Sequence, residues 1–225
     1  MVTSLIDGFQ NFRDRFFGKA SSEFGDLVSK GQKPKTMVVG CADSRVDPAI
    51  LFNTRPGDLF MVRNVANLVP PYAPDAGLHG VSAALEYGVR DLMVENIIVL
   101  GHGLCGGVQA ICSHHRKLQK NGGKPDAPSR EFIGNWIDVA TPAMQNIDFA
   151  NWQDSFQHDA ERASIKNSIA NLRGFPWIAE AVKAGKLHLH GWWFDMENGA
   201  LWSLDEGSGN FIQLVPDAAE SKPTR

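Results

Sequence analysis

The spacing of apolar residues changes along the chain, and each change marks a different structural element. Leu5, Phe9, Phe12 and Phe16 recur at the spacing of an amphipathic helix. Further on, short uninterrupted apolar runs indicate buried strands, because parallel strands are covered on both faces and lose the alternation of apolar and polar residues. These predicted strands begin at Thr36, Leu59, Asn96, Leu187 and Ala200.

Helical spacing returns between these strands. It runs from Leu78 to Leu92 and from Val108 to about Leu118, and it prevails from Glu131 to Ala184. Strands that alternate with helices predict an α/β fold with a mostly parallel central sheet flanked by helices.

Length and composition narrow the class of protein. The 225 residues predict a single domain over residues 1–225, with a helical arm at 1–30 and a frayed tail at 217–225. A net charge of −3 and the lack of any basic run argue against a nucleic-acid partner. The uncharged stretch from Asn96 to His115 is long enough for a bilayer, but its three histidines and four glycines predict no membrane span. Three cysteines and a charged N-terminal segment favour a cytoplasmic protein.

Two short motifs follow predicted strands, and both carry metal-binding side chains. Cys41-Ala42-Asp43-Ser44-Arg45 follows the first strand, and His102-Gly103-Leu104-Cys105 follows the third. The carboxyl ends of parallel strands share one edge of a sheet, where open α/β folds bind ligands. Two thiolates and one imidazole suit zinc, and three protein ligands leave a fourth position open, as in catalytic zinc sites.

Asp43 and Arg45 lie two positions apart in an extended segment, so they can form an ion pair on one side of the chain. Beside a zinc ion, the carboxylate of Asp43 can accept the proton of a metal-bound water and orient that water. Alternatively, Asp43 can itself occupy the fourth position on zinc. Both arrangements are compatible with one protein at different pH values.

Other interpretations of these motifs stay open at this point. The two cysteines can be small buried hydrophobic residues and His102 a loop histidine. A non-catalytic zinc or redox module would use the same ligands. The spacing Gly101-x-Gly103-x-x-Gly106 also fits a dinucleotide-binding fingerprint, but residues 113–124 contain no second strand ending in an acidic residue.

Three blocks of sequence together resemble the β-class carbonic anhydrases. They are Cys41–Arg45, Arg63-Asn64-Val65-Ala66-Asn67 and Gly101–Gly107. The resemblance implies four parallel strands plus one antiparallel edge strand, and a homodimer or higher even oligomer in which the N-terminal helices pack on a partner subunit. It also implies one Zn²⁺ per subunit, bound by Cys41, His102 and Cys105, with Asp43 and Arg45 as the catalytic dyad.

The reaction implied by this resemblance is the reversible hydration of carbon dioxide to bicarbonate and a proton by a zinc-bound hydroxide, which makes the chain a lyase. Relatives with the same fold and ligands hydrolyse carbonyl sulfide or carbon disulfide, and this is the alternative substrate class. The resemblance further implies the substrate-binding residues Gln32, Phe60, Val65, Tyr87 and Gly106. For the apolar ones among them, ordinary core packing is the alternative role.

Some members of the family have a regulatory bicarbonate pocket built from Trp, Arg and Tyr. In this sequence the corresponding residues are Val38, Arg63 and Phe194, so the indole and phenol hydrogen bonds are missing and the pocket is expected to be absent. We therefore expect the Asp43–Arg45 pair to be intact near neutral pH. Asp43 would then be a fourth zinc ligand only in a closed state at low pH.

Overall fold

The fold is built on one six-stranded sheet with the order β2-β1-β3-β4-β5-β6. The computed structural model describes residues 2–17, 23–120, 122, 130–145, 147, 149, 153 and 156–219. The strands are β1 Thr36–Cys41, β2 Leu59–Asn64, β3 Asn96–His102, β4 His188–Asp195, β5 Ala200–Asp205 and β6 Asn210–Val215.

Helices pack against the sheet and lie in the connections between the parallel strands. The α-helices are α1 Val2–Phe16, α2 Glu23–Lys30, α3 Pro48–Leu51, α4 Gly80–Glu86, α5 Gly106–Lys120, α6 Ile133–Ile137, α7 Thr141–Met144, α8 Phe156–Arg173 and α9 Pro176–Lys183. Short 3₁₀ turns lie at Val65–Asn67 and Asp138–Ala140, and a π-helical turn lies at Tyr87–Asp91. No helix in the described part of the chain combines the length and the apolar character needed to cross a membrane.

The strand directions confirm the predicted α/β class. β2, β1, β3 and β4 are parallel, and β5 is antiparallel to both of its neighbours. The sixth strand, Asn210–Val215, was not predicted from the sequence, and it covers the outer side of β5. Its residues are mostly exposed, so its apolar pattern is weak. A glycine-bearing connection at residues 206–209 is the signal for this hairpin.

The strand register brings the two motifs to the same edge of the sheet. Cys41 ends β1 opposite Asn64 at the end of β2, and His102 ends β3 opposite Phe194 of β4. The backbone N–H of Gly103 donates to the Phe194 carbonyl oxygen at 2.8 Å, which ties the second motif to the neighbouring strand.

Helix α8 packs very close to β3 and β4 because glycine occupies one contact position in each strand. A Cβ atom at Gly101 would lie 2.7 Å from Ile165 Cδ1, and one at Gly191 would lie 2.8 Å from Ile165 Cγ2. These are contacts that real Cβ atoms do not make, so a larger residue would push the helix outward. The close approach allows α8 to deliver side chains from its N-terminal half to the carboxyl edge of the sheet.

The N-terminal helices have few contacts with this core. α1 contains no buried residue, and the exposed fractions of Leu5 and Phe9 are 70% and 63%. Phe12 and Phe16 instead pack on Phe24 of α2, with ring centroids 5.6 and 6.4 Å away. The predicted tail falls partly at residues 220–225, which lie outside the described residues.

Candidate metal centre

Cys41, His102 and Cys105 form a buried cluster at the carboxyl edge of the sheet. Their ligand atoms all lie within 4.8 Å of one another. The two Sγ atoms are 3.8 Å apart. A tetrahedral ion with zinc–sulfur bonds of about 2.3 Å requires a sulfur–sulfur separation of about 3.8 Å. The cluster therefore has the dimensions and the donor set of a zinc site.

The histidine of this cluster is held in the orientation that a metal ligand needs. His102 Nδ1 lies 2.9 Å from the Gly103 carbonyl oxygen, and His102 Nε2 is buried with no hydrogen-bond partner among the described residues. Because a carbonyl oxygen can only accept, Nδ1 carries the proton and Nε2 presents its lone pair. An unpaired buried nitrogen is costly unless a ligand completes it, so the geometry of His102 favours a bound cation.

The two thiols of the cluster perturb each other. Their contact lowers the pKa of Cys41, against the opposing effect of burial, and raises the pKa of Cys105, where burial acts in the same direction. The backbone N–H of Asp43 also donates to Cys41 Sγ at 3.4 Å, which favours the thiolate. A bound divalent cation would hold both sulfur atoms as thiolates, so metal binding would release protons from the pair.

Asp43 and Arg45 form a two-pronged ion pair beside the cluster. Arg45 Nε and Nη2 donate to the two carboxylate oxygens of Asp43 at 2.9 and 2.7 Å. These bonds hold the pKa of Asp43 well below its usual range, so the carboxylate stays ionised. Asp43 Oδ2 lies 4.0 Å from His102 Nε2, next to the point at which the ligand atoms converge. Arg45 Nη2 makes one further bond, to the Leu104 carbonyl oxygen at 3.1 Å.

Arg63 holds the first motif from the neighbouring strand. Its guanidinium donates to the carbonyl oxygens of Cys41 and Asp43 at 2.9 and 2.7 Å and to Asp47 Oδ2 at 2.8 Å. In the sequence, Arg63 belongs to one of the three blocks that resemble the family and is the remaining residue of the regulatory pocket. The structure gives it a structural task that no sequence spacing indicated.

The five predicted substrate-binding residues divide between opposite edges of the sheet. Val65 and Gly106 lie at the carboxyl edge with the cluster. Phe60 lies four residues before Asn64, the partner of Cys41, which is about 13 Å at the rise of a strand. Tyr87 packs on Phe60, with ring centroids 5.9 Å apart, and Gln32 precedes the start of β1. Within one chain, Gln32, Phe60 and Tyr87 therefore do not reach the cluster.

The sequence reasoning missed a buried acid behind the cluster, Glu161 of α8, which is 2% exposed. Its Oε1 accepts from the backbone N–H of Cys105 at 3.0 Å and from Gln157 Nε2 at 3.2 Å. Its Oε2 accepts from Trp193 Nε1 at 3.1 Å. Burial raises the pKa of Glu161, and these three donors oppose that shift. The sequence does contain one signal for this residue, because Glu161 occupies a position in helix α8 that lies in line with the apolar residues Ile165 and Leu172.

Comparison with known proteins agrees with this geometry. The family model described as carbonic anhydrase matches residues 36–201. The chain belongs to the β-class carbonic anhydrases. It is 38% identical to "Beta carbonic anhydrase 5, chloroplastic" of Arabidopsis thaliana, covering 90% of this chain and 70% of that protein. It is 37% identical to a "Carbonic anhydrase" of Pseudomonas aeruginosa, covering 95% and 92% of the two chains.

Solved structures of this β-class carbonic anhydrase family have the same fold. The β-carbonic anhydrase CcaA superposes with a TM-score of 0.81 at 28% identity, covering 96% of this chain and 94% of that one. A Coccomyxa β-carbonic anhydrase, solved with acetazolamide, gives a TM-score of 0.71 at 26% identity, covering 95% and 86%. The chain is thus a zinc-dependent enzyme that hydrates carbon dioxide. Among the described residues, the cluster of two thiols and one imidazole is the group that can bind the zinc ion.

Proposed function

We propose that Cys41, His102 and Cys105 bind one zinc ion per chain and that Asp43 and Arg45 act on the substrates beside it. The observation that carries this proposal is the 3.8 Å separation of two buried sulfur atoms with an unpaired imidazole nitrogen facing them. When bound there, zinc supplies the Lewis acidity that generates hydroxide from water near neutral pH.

The dyad supplies the orientation that this chemistry needs. The carboxylate of Asp43 accepts a hydrogen bond from the attacking water and so directs its oxygen toward carbon dioxide. Arg45 keeps Asp43 ionised and fixes its plane through two parallel bonds. Two thiolates and a neutral imidazole neutralise the charge of a divalent cation, so water is acidified less than in a three-histidine site, and the help of Asp43 matters more.

We further propose that the cleft is completed by a second copy of the chain in a homodimer or higher even oligomer. Three of the expected substrate-binding residues, Gln32, Phe60 and Tyr87, lie at the edge of the sheet away from the cluster, and Tyr87 is 47% exposed. A two-fold partner could bring this edge to the cluster. The exposed apolar face of α1 would pack on the same partner, and we place this single-domain enzyme in the cytoplasm.

The resting state near neutral pH follows from the contacts of Arg63. Each of the three guanidinium nitrogens of Arg63 donates a hydrogen bond to Cys41, Asp43 or Asp47. This supports the proposal that the family's regulatory bicarbonate pocket is absent. Asp43 then stays paired with Arg45 and leaves the fourth zinc position open to water. We assign ligation by Asp43 only to a closed state at low pH.

Stopped-flow hydration of carbon dioxide tests the activity directly. The purified chain is measured as isolated, after zinc removal with a chelator, and after zinc is restored. We expect hydration that disappears and returns with zinc and that acetazolamide inhibits. A folded, zinc-loaded chain without hydration between about pH 6 and 9 would refute the proposal, and carbonyl sulfide and carbon disulfide would then be assayed as substrates.

Subunit complementation tests the shared cleft. A Cys41→Ser chain, which lacks a zinc ligand, is mixed with a Tyr87→Ala chain under conditions that allow subunits to exchange. If Tyr87 serves the zinc site of the partner, each mixed dimer regains one complete site, and random pairing predicts about a quarter of the parent activity. Activity no higher than the sum of the separate variants would show that Tyr87 does not act across the interface.

A further inference from the structure

Glu161 is a buried carboxylate for which the proposed zinc chemistry has no use. It carries no ion pair with lysine or arginine in the described structure. N–H donors from Cys105, Gln157 and Trp193 bind its oxygens, and the nearby His158 adds a weaker electrostatic interaction. Burying an acidic group is costly, so its position directly behind the metal loop calls for an explanation.

The N–H bound by Glu161 belongs to a peptide group whose other end contacts the dyad. This is the Leu104–Cys105 peptide, whose N–H donates to Glu161 Oε1 at 3.0 Å. Its carbonyl oxygen accepts from Arg45 Nη2 at 3.1 Å. A trans peptide is planar, and its N–H and C=O point in opposite directions. Glu161 and Arg45 are therefore bonded to the two ends of one rigid group.

The orientation of this peptide needs an external anchor. Leu104 has φ +56°, in the left-handed region that is unfavourable for a residue with a Cβ atom. Cys105 precedes the first residue of α5, so its N–H has no partner within the helix. The carboxylate of Glu161 satisfies that N–H and opposes relaxation of the Leu104 backbone.

We propose that Glu161 is a positioning residue that fixes the Leu104–Cys105 peptide and, through the Leu104 carbonyl oxygen, orients the Arg45 guanidinium on Asp43. This inference rests on the proposed function of the dyad. Glu161 itself touches no reacting atom. Gln157 supports it, because its Nε2 atom contacts Glu161 Oε1 at 3.2 Å and the Cys105 carbonyl oxygen at 3.4 Å.

A double-mutant cycle on the zinc-loaded, full-length enzyme tests this inference. Glu161→Gln keeps the size of the side chain but leaves one accepting oxygen for donors on both sides. Its NH₂ group must then face an N–H, either that of Trp193 or that of Cys105, so the anchor on the peptide is weakened. We expect kcat for carbon dioxide hydration to fall about tenfold, within the range for groups that support a metal site from behind. In an Arg45→Ala background the same substitution should lower kcat by less than about twofold, because the group being oriented is gone.

Zinc affinity provides a second readout. In competition with a chromophoric chelator, the zinc affinity of Glu161→Gln should fall by a smaller factor than its kcat, since the ligands themselves are unchanged. An equal loss of kcat in both backgrounds would overturn the inference, and so would a loss of zinc that accounts for the lower activity. An Arg45→Ala enzyme as active as the parent would instead refute the proposed dyad, and this inference with it.

Two further variants guard against effects on folding. Ile169 lies on the same helix, faces the sheet and is 2% exposed. Ile169→Val should lower stability without changing kcat. Gln157→Ala removes the supporting amide from a partly buried position. It should lower kcat about two- to threefold, and this loss should also vanish in the Arg45→Ala background. A loss that persists there would count against the inference even if Glu161→Gln did not fold.

Discussion

Gly107 provides a direct test of how tightly the metal loop is packed. It lies in the first turn of α5, which follows Cys105. A Cβ atom at this position would lie 2.9 Å from Ala66 Cβ, 2.9 Å from Val65 Cγ1 and 3.0 Å from Ala66 N. Carbon atoms prefer about 3.5–4.0 Å, so a shift of roughly 0.5–1 Å is needed.

The segment that faces Gly107 cannot easily move. The side-chain amide of Asn64 bonds both the N–H and the carbonyl oxygen of Leu68, each at 2.9 Å, and so closes a loop over the three residues between them. Overpacking of this kind typically costs about 1–3 kcal/mol. Gly107→Ala should lose that amount from the free energy of unfolding, offset by the helix propensity gained when alanine replaces glycine.

Gly106→Ala is the matched control, because an added Cβ at Gly106 meets no atom within 4 Å. Both variants gain similar helix propensity, so the difference between them isolates the clash. In urea unfolding of the zinc-free chain, followed by tryptophan fluorescence at equal protein concentrations, Gly107→Ala should be less stable than Gly106→Ala by about 1–3 kcal/mol. It should also bind zinc more weakly, since α5 is displaced. Equal stability within about 0.5 kcal/mol would show that the Val65–Ala66 segment yields.

Three further outcomes are expected. Metal analysis should find that Cys41→Ser loses its bound zinc and that Cys112→Ala keeps about one ion per chain, because Cys41 belongs to the cluster and Cys112 does not. Zinc retention by Cys41→Ser would contradict the proposed ligand set. Arg45→Ala should keep its zinc and lose about 10- to 100-fold in kcat/KM in stopped-flow hydration, since Asp43 is no longer oriented. Burial raises the pKa of Cys112 to about 12. In the folded chain at about pH 8, mass spectrometry should therefore find Cys112 unmodified by iodoacetamide, and after unfolding in urea it should find Cys112 modified. Rapid modification in the folded chain would contradict this.

The ligand cluster could be anticipated from the sequence because each of its parts is encoded locally. Continuous apolar runs mark β1 and β3, and the metal-binding side chains follow the ends of those runs within a few residues. A parallel sheet then brings the strand ends together without any knowledge of side-chain packing. β6 was not predicted because it lies on the surface, where polar residues interrupt the apolar pattern.

The supporting contacts depend on long-range packing that no local pattern encodes. Glu161 lies 56 residues beyond Cys105 and meets it only because α8 crosses the sheet at two glycines. The division of the cleft residues between two edges depends on strand register. Phe60 and Asn64 belong to the same strand, yet only Asn64 lies beside Cys41. The sequence can identify such residues as candidates, but the strand register determines at which edge of the sheet each one lies.

The backbone around the metal centre holds an unfavourable conformation at three residues that are not glycine. Ala66, Asn67 and Leu104 have φ values of +66°, +48° and +56°. Conformations of this kind cost roughly 1–3 kcal/mol each and persist only where the surroundings determine them. Here the surroundings are polar anchors that need no metal, namely the Asn64 amide on one loop and the Glu161 carboxylate on the other. Side chains outside the ligand set therefore fix the backbone of both loops.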